Sequence, residues 1–347
     1  MKKFNELSLN ITEEEYRNNG RFHYSDISGY MKDGFSYFKK DRKEESESLT
    51  FGSMVDCLVT EGLDVFNDKY CVERNFNVSD NQKLVINDLT HFWYDRLEDI
   101  PPQTIVEAVR GRDLYKNYKD DSKIVAKMIE DCANYYRFIK ESNGKIAVDF
   151  ESFNDAKDVA NILLTSETTS GFFGASKYKS VDKFFQLKFN GVIDNIPVTC
   201  MVDAIYIDHD MKKIWPIDLK TTCANFEWEF PKSFVKYHYY TQAQLYSRIL
   251  RQIMDADEDY RDYELMGFTF IYISRQNKTP LLWTFENCLI KGDVTLELQD
   301  GKKIILEDFE KPLHEMYTII TEQRTVPLDI SLMYGNDVIE HLKKVRI

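Results

Sequence analysis

The feature that most constrains this chain is the order of its apolar runs between residues 180 and 290. Residues 184–189 read as a strand, and Asn190-Gly191 supplies a turn signal. Residues 198–207 read as a second strand, Asp208-His209-Asp210-Met211 as a turn, and 213–220 as a third strand. Residues 231–254 have helical spacing, and 265–274 and 281–286 return to strand character. Strands, then one long helix, then strands again imply an α/β or α+β core with a mixed sheet.

Three further stretches surround this core. In residues 1–75, Thr12 followed by Glu13-Glu14-Glu15 looks like a helix start, and Ser25-Asp26 like a second cap. Lys39 to Lys43 is a basic run. Met54, Val55, Leu58 and Val59 have helical spacing that Gly62 is placed to end. Residues 76–179 are mainly helical in pattern, broken at Pro101-Pro102, with an amphipathic stretch at 153–164. They carry no chemistry motif and read as a helical insertion that shapes a groove. Residues 291–347 begin with a hairpin signal at Asp300-Gly301. A helix near 307–322 and a basic tail from Lys343 follow.

Composition narrows the class. The 347 residues suffice for a sizeable core without staples. With 23 Phe and 21 Tyr, wholesale disorder is excluded. No apolar run is long enough to cross a membrane, and Met1 to Glu6 lack an apolar signal core, so the expected compartment is the cytoplasm. The six cysteines include no C-x-x-C pair, which fits reduced thiols better than a zinc or iron–sulfur site. A formal charge of −13 excludes a global positive field for nucleic acid but leaves room for a local basic groove.

The chemistry concentrates on Asp203, Asp218 and Lys220. A turn centred near 210–211 sets Asp203 opposite Asp218, and directly opposed side chains lie about 4.5–5.5 Å apart at Cβ. Two carboxylates so close repel unless a cation joins them. Mg²⁺ is typically held by one or two carboxylates together with waters and phosphate oxygens. Lys220, two residues past Asp218, lies on the same strand face. It either balances the acids or stabilises charge developing on a phosphate, which is equipment for phosphodiester hydrolysis. A surface hairpin with a chance Asp/Lys pair is the competing reading. Ile217 and Leu219 are apolar, so the opposite face is expected to be buried and the charged face to look into something specific.

From Phe230 to Met254 there is no acidic residue, while Lys232, Lys236, Arg248 and Arg251 interleave with tyrosines. Such a helix suits phosphate contact and stacking, with Lys232, Lys236, Tyr239 and Arg248 as candidate DNA contacts. Gln242 and Tyr246 share one helical face. Tyr239 and Tyr246 fit core packing equally well. Glu61 reads as a helix-end residue, and His209 and His238 lack ligand-spaced partners.

Taken in order, Asp203, then Pro216-Ile217-Asp218-Leu219-Lys220-Thr221-Thr222, then Gln242 and Tyr246 resemble the PD-(D/E)XK nuclease superfamily. The RecE (exonuclease VIII)-like branch is the nearest likeness, with RecB-type nuclease domains and lambda exonuclease more distant. Tyr24-Ser25-Asp26, Phe51-Gly52-Ser53 and Phe66-Asn67-Asp68 look like the family's opening order. The likeness covers residues 10–80 and 180–290. It implies a restriction-endonuclease-like core: a mixed central sheet flanked by helices. The first ligand helix would lie in 1–75, the insertion in 76–179 and the catalytic sheet in 180–290.

The resemblance also implies roles. Asp203 and Asp218 would be metal ligands with the carbonyl of Leu219, Lys220 the catalytic lysine, and Gln242 and Tyr246 supports of the site. Asp56 stands where the family usually has a ligand histidine, and its harder oxygen favours Mg²⁺ or Mn²⁺. Val202 and Met201 stand where the family has proline and arginine. The implied activity is a metal-dependent exonuclease on linear double-stranded DNA in recombination or replication, phage-type. The implied partners are DNA, a single-strand annealing protein and further copies of the chain. A structure-selective endonuclease on the same core, or a weakened DNA-binding module, are the alternatives.

Overall fold

The computed structural model describes residues 2–39, 47–73, 76–142, 144–176, 178–223, 229–297 and 301–321. The basic run at 40–43, Asp300 and the tail from Lys343 lie outside the described residues. In chain order the helices are α1 (Glu13–Arg17), α2 (Tyr24–Asp33), α3 (Glu47–Thr60), α4 (Leu63–Lys69), α5 (Asp80–Thr90), α6 (Pro102–Gly111), α7 (Asp121–Glu141), α8 (Phe150–Thr165), α9 (Ser170–Phe173), α10 (Phe230–Lys236), α11 (Tyr239–Ala256) and α12 (Glu310–Thr321). The strands are β1 (Tyr70–Glu73), β2 (Ile146–Asp149), β3 (Val181–Ile193), β4 (Ile196–Asp208), β5 (Lys213–Thr222), β6 (Glu264–Leu265), β7 (Phe268–Ser274), β8 (Pro280–Phe285), β9 (Val294–Glu297) and β10 (Lys303–Leu306). The fold is mixed α/β. Among the described residues no helix is long and apolar enough to cross a membrane.

The chain divides into two units, residues 53–160 and the remainder. In the first, α5, α6 and α7 bury Val85, Ile105, Met128 and Tyr136 in a core of their own. Pro101-Pro102 ends one element and opens the next: Pro102 sits in the first turn of α6, where its missing N–H costs nothing. The parallel pair β1–β2, with Tyr70 opposite Ile146, interrupts the helical pattern. Four residues per strand are too few for alternation to reveal them.

The other unit carries the mixed sheet, in the order β3-β4-β5-β7-β8, with β6 also pairing β5. β3 and β4 pair antiparallel, as do β4 and β5; β5 and β7 run parallel, and β8 returns antiparallel. The parallel pair needs a crossover, which α10 and α11 supply. Helix α1 starts at the expected place: the Thr12 side chain accepts from the Glu15 N–H, and Glu15 reaches back to the Thr12 N–H. Helix α2 is capped differently from the sequence reading. Its N-cap is His23, whose N–H donates to Asp26 at 2.8 Å, so Asp26 is the third residue of the helix rather than the cap.

One turn signal misleads. Asn190-Gly191 lies inside β3, with Gly191 opposite Val198, and the hairpin turns instead at Asp194 and Asn195, which have φ of 46° and 67°. Two successive left-handed residues form the tight turn that matches strand twist. Gly191 is there because α11 comes close: a Cβ would sit 2.8 Å from Ile249 Cγ1. The long helix is likewise two. Tyr237 and His238 separate α10 from α11, and His238 is left-handed at φ 54°. No Gly or Pro marks the break, and His is among the few side chains that enter this region readily.

Gly191→Ala is expected to lower stability by about 1–3 kcal/mol through overpacking. A reduced urea midpoint at constant m would register it, and an unchanged midpoint would mean that Ile249 gives way freely.

Candidate active site

The β4–β5 ladder pairs Ala204 with Ile217, and one step further the same register sets Asp203 opposite Asp218. There the ladder ends. The Asp203 carboxylate accepts the Leu219 N–H at 2.8 Å, so a side chain replaces a backbone partner at the edge of β5. The ladder also opens on the other side of Asp203. Phe185 pairs Ala204 and Leu187 pairs Val202, but Gln186 between them is left-handed at φ 53° and stays out of the ladder. A non-glycine residue held there costs on the order of 1–3 kcal/mol, and such residues gather at functional sites. The alternation of β3 carries no sign of Gln186, and sequence reasoning missed it.

Asp218 is buried, with only 2% of its side chain exposed. Gln242 Nε2 donates to its Oδ1. Lys220 Nζ lies 2.5 Å from its Oδ2. That oxygen has no aligned hydrogen bond, so Lys220 meets it as a charge. Burial lowers the pKa of the Lys220 ammonium, but Asp218, Tyr239, Asp203 and Tyr24 raise it more, and the net effect is upward. Lys220 therefore stays charged.

Asp218 and Lys220 stand beside Phe270 and Tyr272 of β7 in the parallel register. Phe230 of α10 packs on both rings, at 5.7 and 4.7 Å between centroids. The charged face of β5 thus lies beneath helices, while Ile217 and Leu219 on the other face are buried as well.

Helix α11 brings Tyr239, Gln242 and Tyr246 onto one stripe at spacings of three and four residues. The Tyr239 ring lies under the Lys220 ammonium at 5.0 Å, and Gln242 reaches Asp218. Tyr246 is buried against Phe268, and burial pushes its phenol well above the ordinary value, with Tyr16 and Cys200 nearby. Tyr24 of α2, given no role by the spacing argument, donates its hydroxyl to the Tyr237 carbonyl at the α10–α11 junction. Burial raises its pKa, and nearby Lys220 pulls it back.

The four basic residues of the acid-free segment do not share one environment. Residues 241–250 of α11 are all buried. Arg248 is not placed to touch DNA: its guanidinium pairs with Glu310, donates to the Ile290 carbonyl at 3.0 Å and lies over Phe309. Arg251 is similarly engaged with Asp255 and the carbonyls of Tyr263 and Arg261. Lys232 and Lys236 on α10 remain exposed. The acid that pairs with Arg248 comes from α12, while the one that pairs with Arg251, Asp255, lies four residues on in the same helix, just past the acid-free segment.

Asp56 lies on α3, in the unit of residues 53–160. Its carbonyl accepts the Thr60 hydroxyl at 2.8 Å. Glu61 pairs with Lys69 at 2.6 Å, as a helix-end residue would. His209 is held between Tyr263 and Asp182.

Among the described residues no three His, Cys, Asp or Glu side chains gather as a metal site. A cation here would rest on Asp203, Asp218 and the Leu219 carbonyl. These are hard oxygens, and the buried Asp218 Oδ2 already faces a positive charge without an aligned hydrogen bond. That donor set fits Mg²⁺ or Mn²⁺, which keep several waters, better than a soft metal.

No family model and no curated protein sequence matches this chain. Among solved structures it is similar to a "Putative exonuclease" from Eubacterium rectale, at 12% identity and a TM-score of 0.43, over 90% of this chain and 86% of that one. The functional reading rests on the residues rather than on this likeness.

Lys220→Met strands Asp218 as a buried charge and is expected to cost on the order of 3–5 kcal/mol. Adding Asp218→Asn should recover most of that loss, because the pair acts as a unit. Denaturant unfolding of the two single variants and the double checks this, and strictly additive losses would contradict it.

Proposed function

We propose that this chain is a Mg²⁺- or Mn²⁺-dependent deoxyribonuclease that hydrolyses phosphodiester bonds, as an exonuclease on linear double-stranded DNA. The observation that supports this is the convergence of Asp203, buried Asp218 and charged Lys220 where the β4–β5 ladder opens. Asp203, Asp218 and the Leu219 carbonyl would hold the cation. When bound, it supplies Lewis acidity toward phosphate oxygens and water. Lys220 offers an ammonium to the phosphate oxygen on which negative charge grows during attack. Gln242 fixes the Asp218 carboxylate, so the acid and the lysine keep one geometry. Lys232 and Lys236 are exposed cations suited to neighbouring phosphates on the DNA backbone.

The exonuclease mode rests on the sequence resemblance to RecE-like enzymes. So do a role in recombination or replication, an annealing-protein partner and assembly of several copies. The second reading, a DNA-binding module with a weakened site, rests on Asp56, Val202 and Met201, which stand where the resembled family has histidine, proline and arginine.

The test is a nuclease assay on linear and covalently closed duplex DNA with EDTA, Mg²⁺ or Mn²⁺. Loss of the linear DNA alone, only with metal, is expected. Lys220→Ala should slow it by about 100-fold or more, the scale for removing one transition-state donor. Cutting of closed circles would replace the exonuclease mode with an endonuclease. Binding without cleavage under either metal would leave the second reading.

A further inference from the structure

We propose that Tyr239 is a positioning residue: its ring is a fixed aromatic platform that holds the Lys220 ammonium against Asp218. The inference rests on the nuclease reading for its kinetic consequence but not for its geometry. By sequence Tyr239 is a candidate DNA contact, yet its ring already has an occupant. The Lys220 ammonium lies 5.0 Å from the ring centroid. A cation over an aromatic face is attracted by the ring quadrupole, and more strongly where water is excluded. Only 20% of the Lys220 side chain is exposed, so this ammonium is largely desolvated.

The platform is itself immobilised. The Tyr239 ring stacks on Phe230 at 6.0 Å and 21° and on Phe270 at 5.8 Å and 26°. Phe270 is the β7 neighbour of Asp218. One aromatic layer therefore spans from the strand bearing the acid's partner to the helix that carries Gln242. The backbone just before Tyr239 is tied too, because Tyr24 donates to the Tyr237 carbonyl and left-handed His238 fixes the start of α11. A lysine chain has four rotatable bonds and loses much rotamer freedom when held in place. A rigid ring under the ammonium restricts those rotamers before any substrate arrives.

The ring is what matters in this role, not the hydroxyl. Tyr239→Phe should keep it and Tyr239→Leu should lose it. The first readout is the Lys220 ε-methylene signal of the full chain labelled with ¹³C-lysine, assigned by its disappearance in Lys220→Arg. Ring current should move that signal upfield in the wild type and in Tyr239→Phe, and Tyr239→Leu should return it toward the exposed lysines.

The second readout is nuclease kinetics. Tyr239→Phe should stay within about threefold of wild type, and Tyr239→Leu should lose about tenfold in kcat with KM little changed. A base-stacking role would raise KM instead, and that result would overturn the proposal. A wild-type Lys220 signal among the exposed lysines would also overturn it, and needs no variant to fold. If the wild type cleaves no DNA, the nuclease reading fails, and the Lys220 signal alone decides the platform.

Discussion

The unit with the mixed sheet depends on how it accommodates one buried carboxylate. Asp218 lies in the middle of the sheet, where an unpaired ion would be intolerable. Gln242 and Lys220 answer its two oxygens from a helix and from the same strand. That requirement sets the position of α11, because Gln242 must face β5. The same helix approaches Gly191 closely and starts at left-handed His238. A buried ion pair with a dedicated amide partner is weak support for stability as such. It makes better sense as a device that keeps a charged group ready in one geometry.

Much of this was legible in the sequence, for identifiable reasons. The strand–strand–strand–helix–strand–strand order follows from hydrophobic period, and the register of Asp203 with Asp218 follows from the turn at 208–211 alone. Tyr239, Gln242 and Tyr246 share a helical stripe that spacing makes visible. What escaped was set by tertiary contact. The left-handed His238 and Gln186 leave no compositional mark. Gly191 looked like a turn residue because glycine serves both turns and close approaches. The acid-free segment suits phosphate contact by sequence, although Glu310, 62 residues on, pairs with Arg248 only after folding.

This redistribution of charge changes where DNA could be met. In a chain of net charge −13, Arg248 is paired inside the protein and Arg251 is paired at its surface with Asp255. The exposed cations of this segment are Lys232 and Lys236, just ahead of the helix that carries the site. Phosphate attraction would then be local and short-ranged at physiological salt, which fits a protein that engages a substrate at one edge rather than coating it.

The proposed nuclease needs Asp203 and Asp218 to form a cation site beside Lys220. Crystals of the wild-type chain soaked in Mn²⁺ and measured at an anomalous wavelength test it directly. A peak coordinated by both carboxylates, and lost in Asp218→Asn, is expected. A well-ordered map in which Lys220 still contacts Asp218 and no peak lies between the two acids would contradict it.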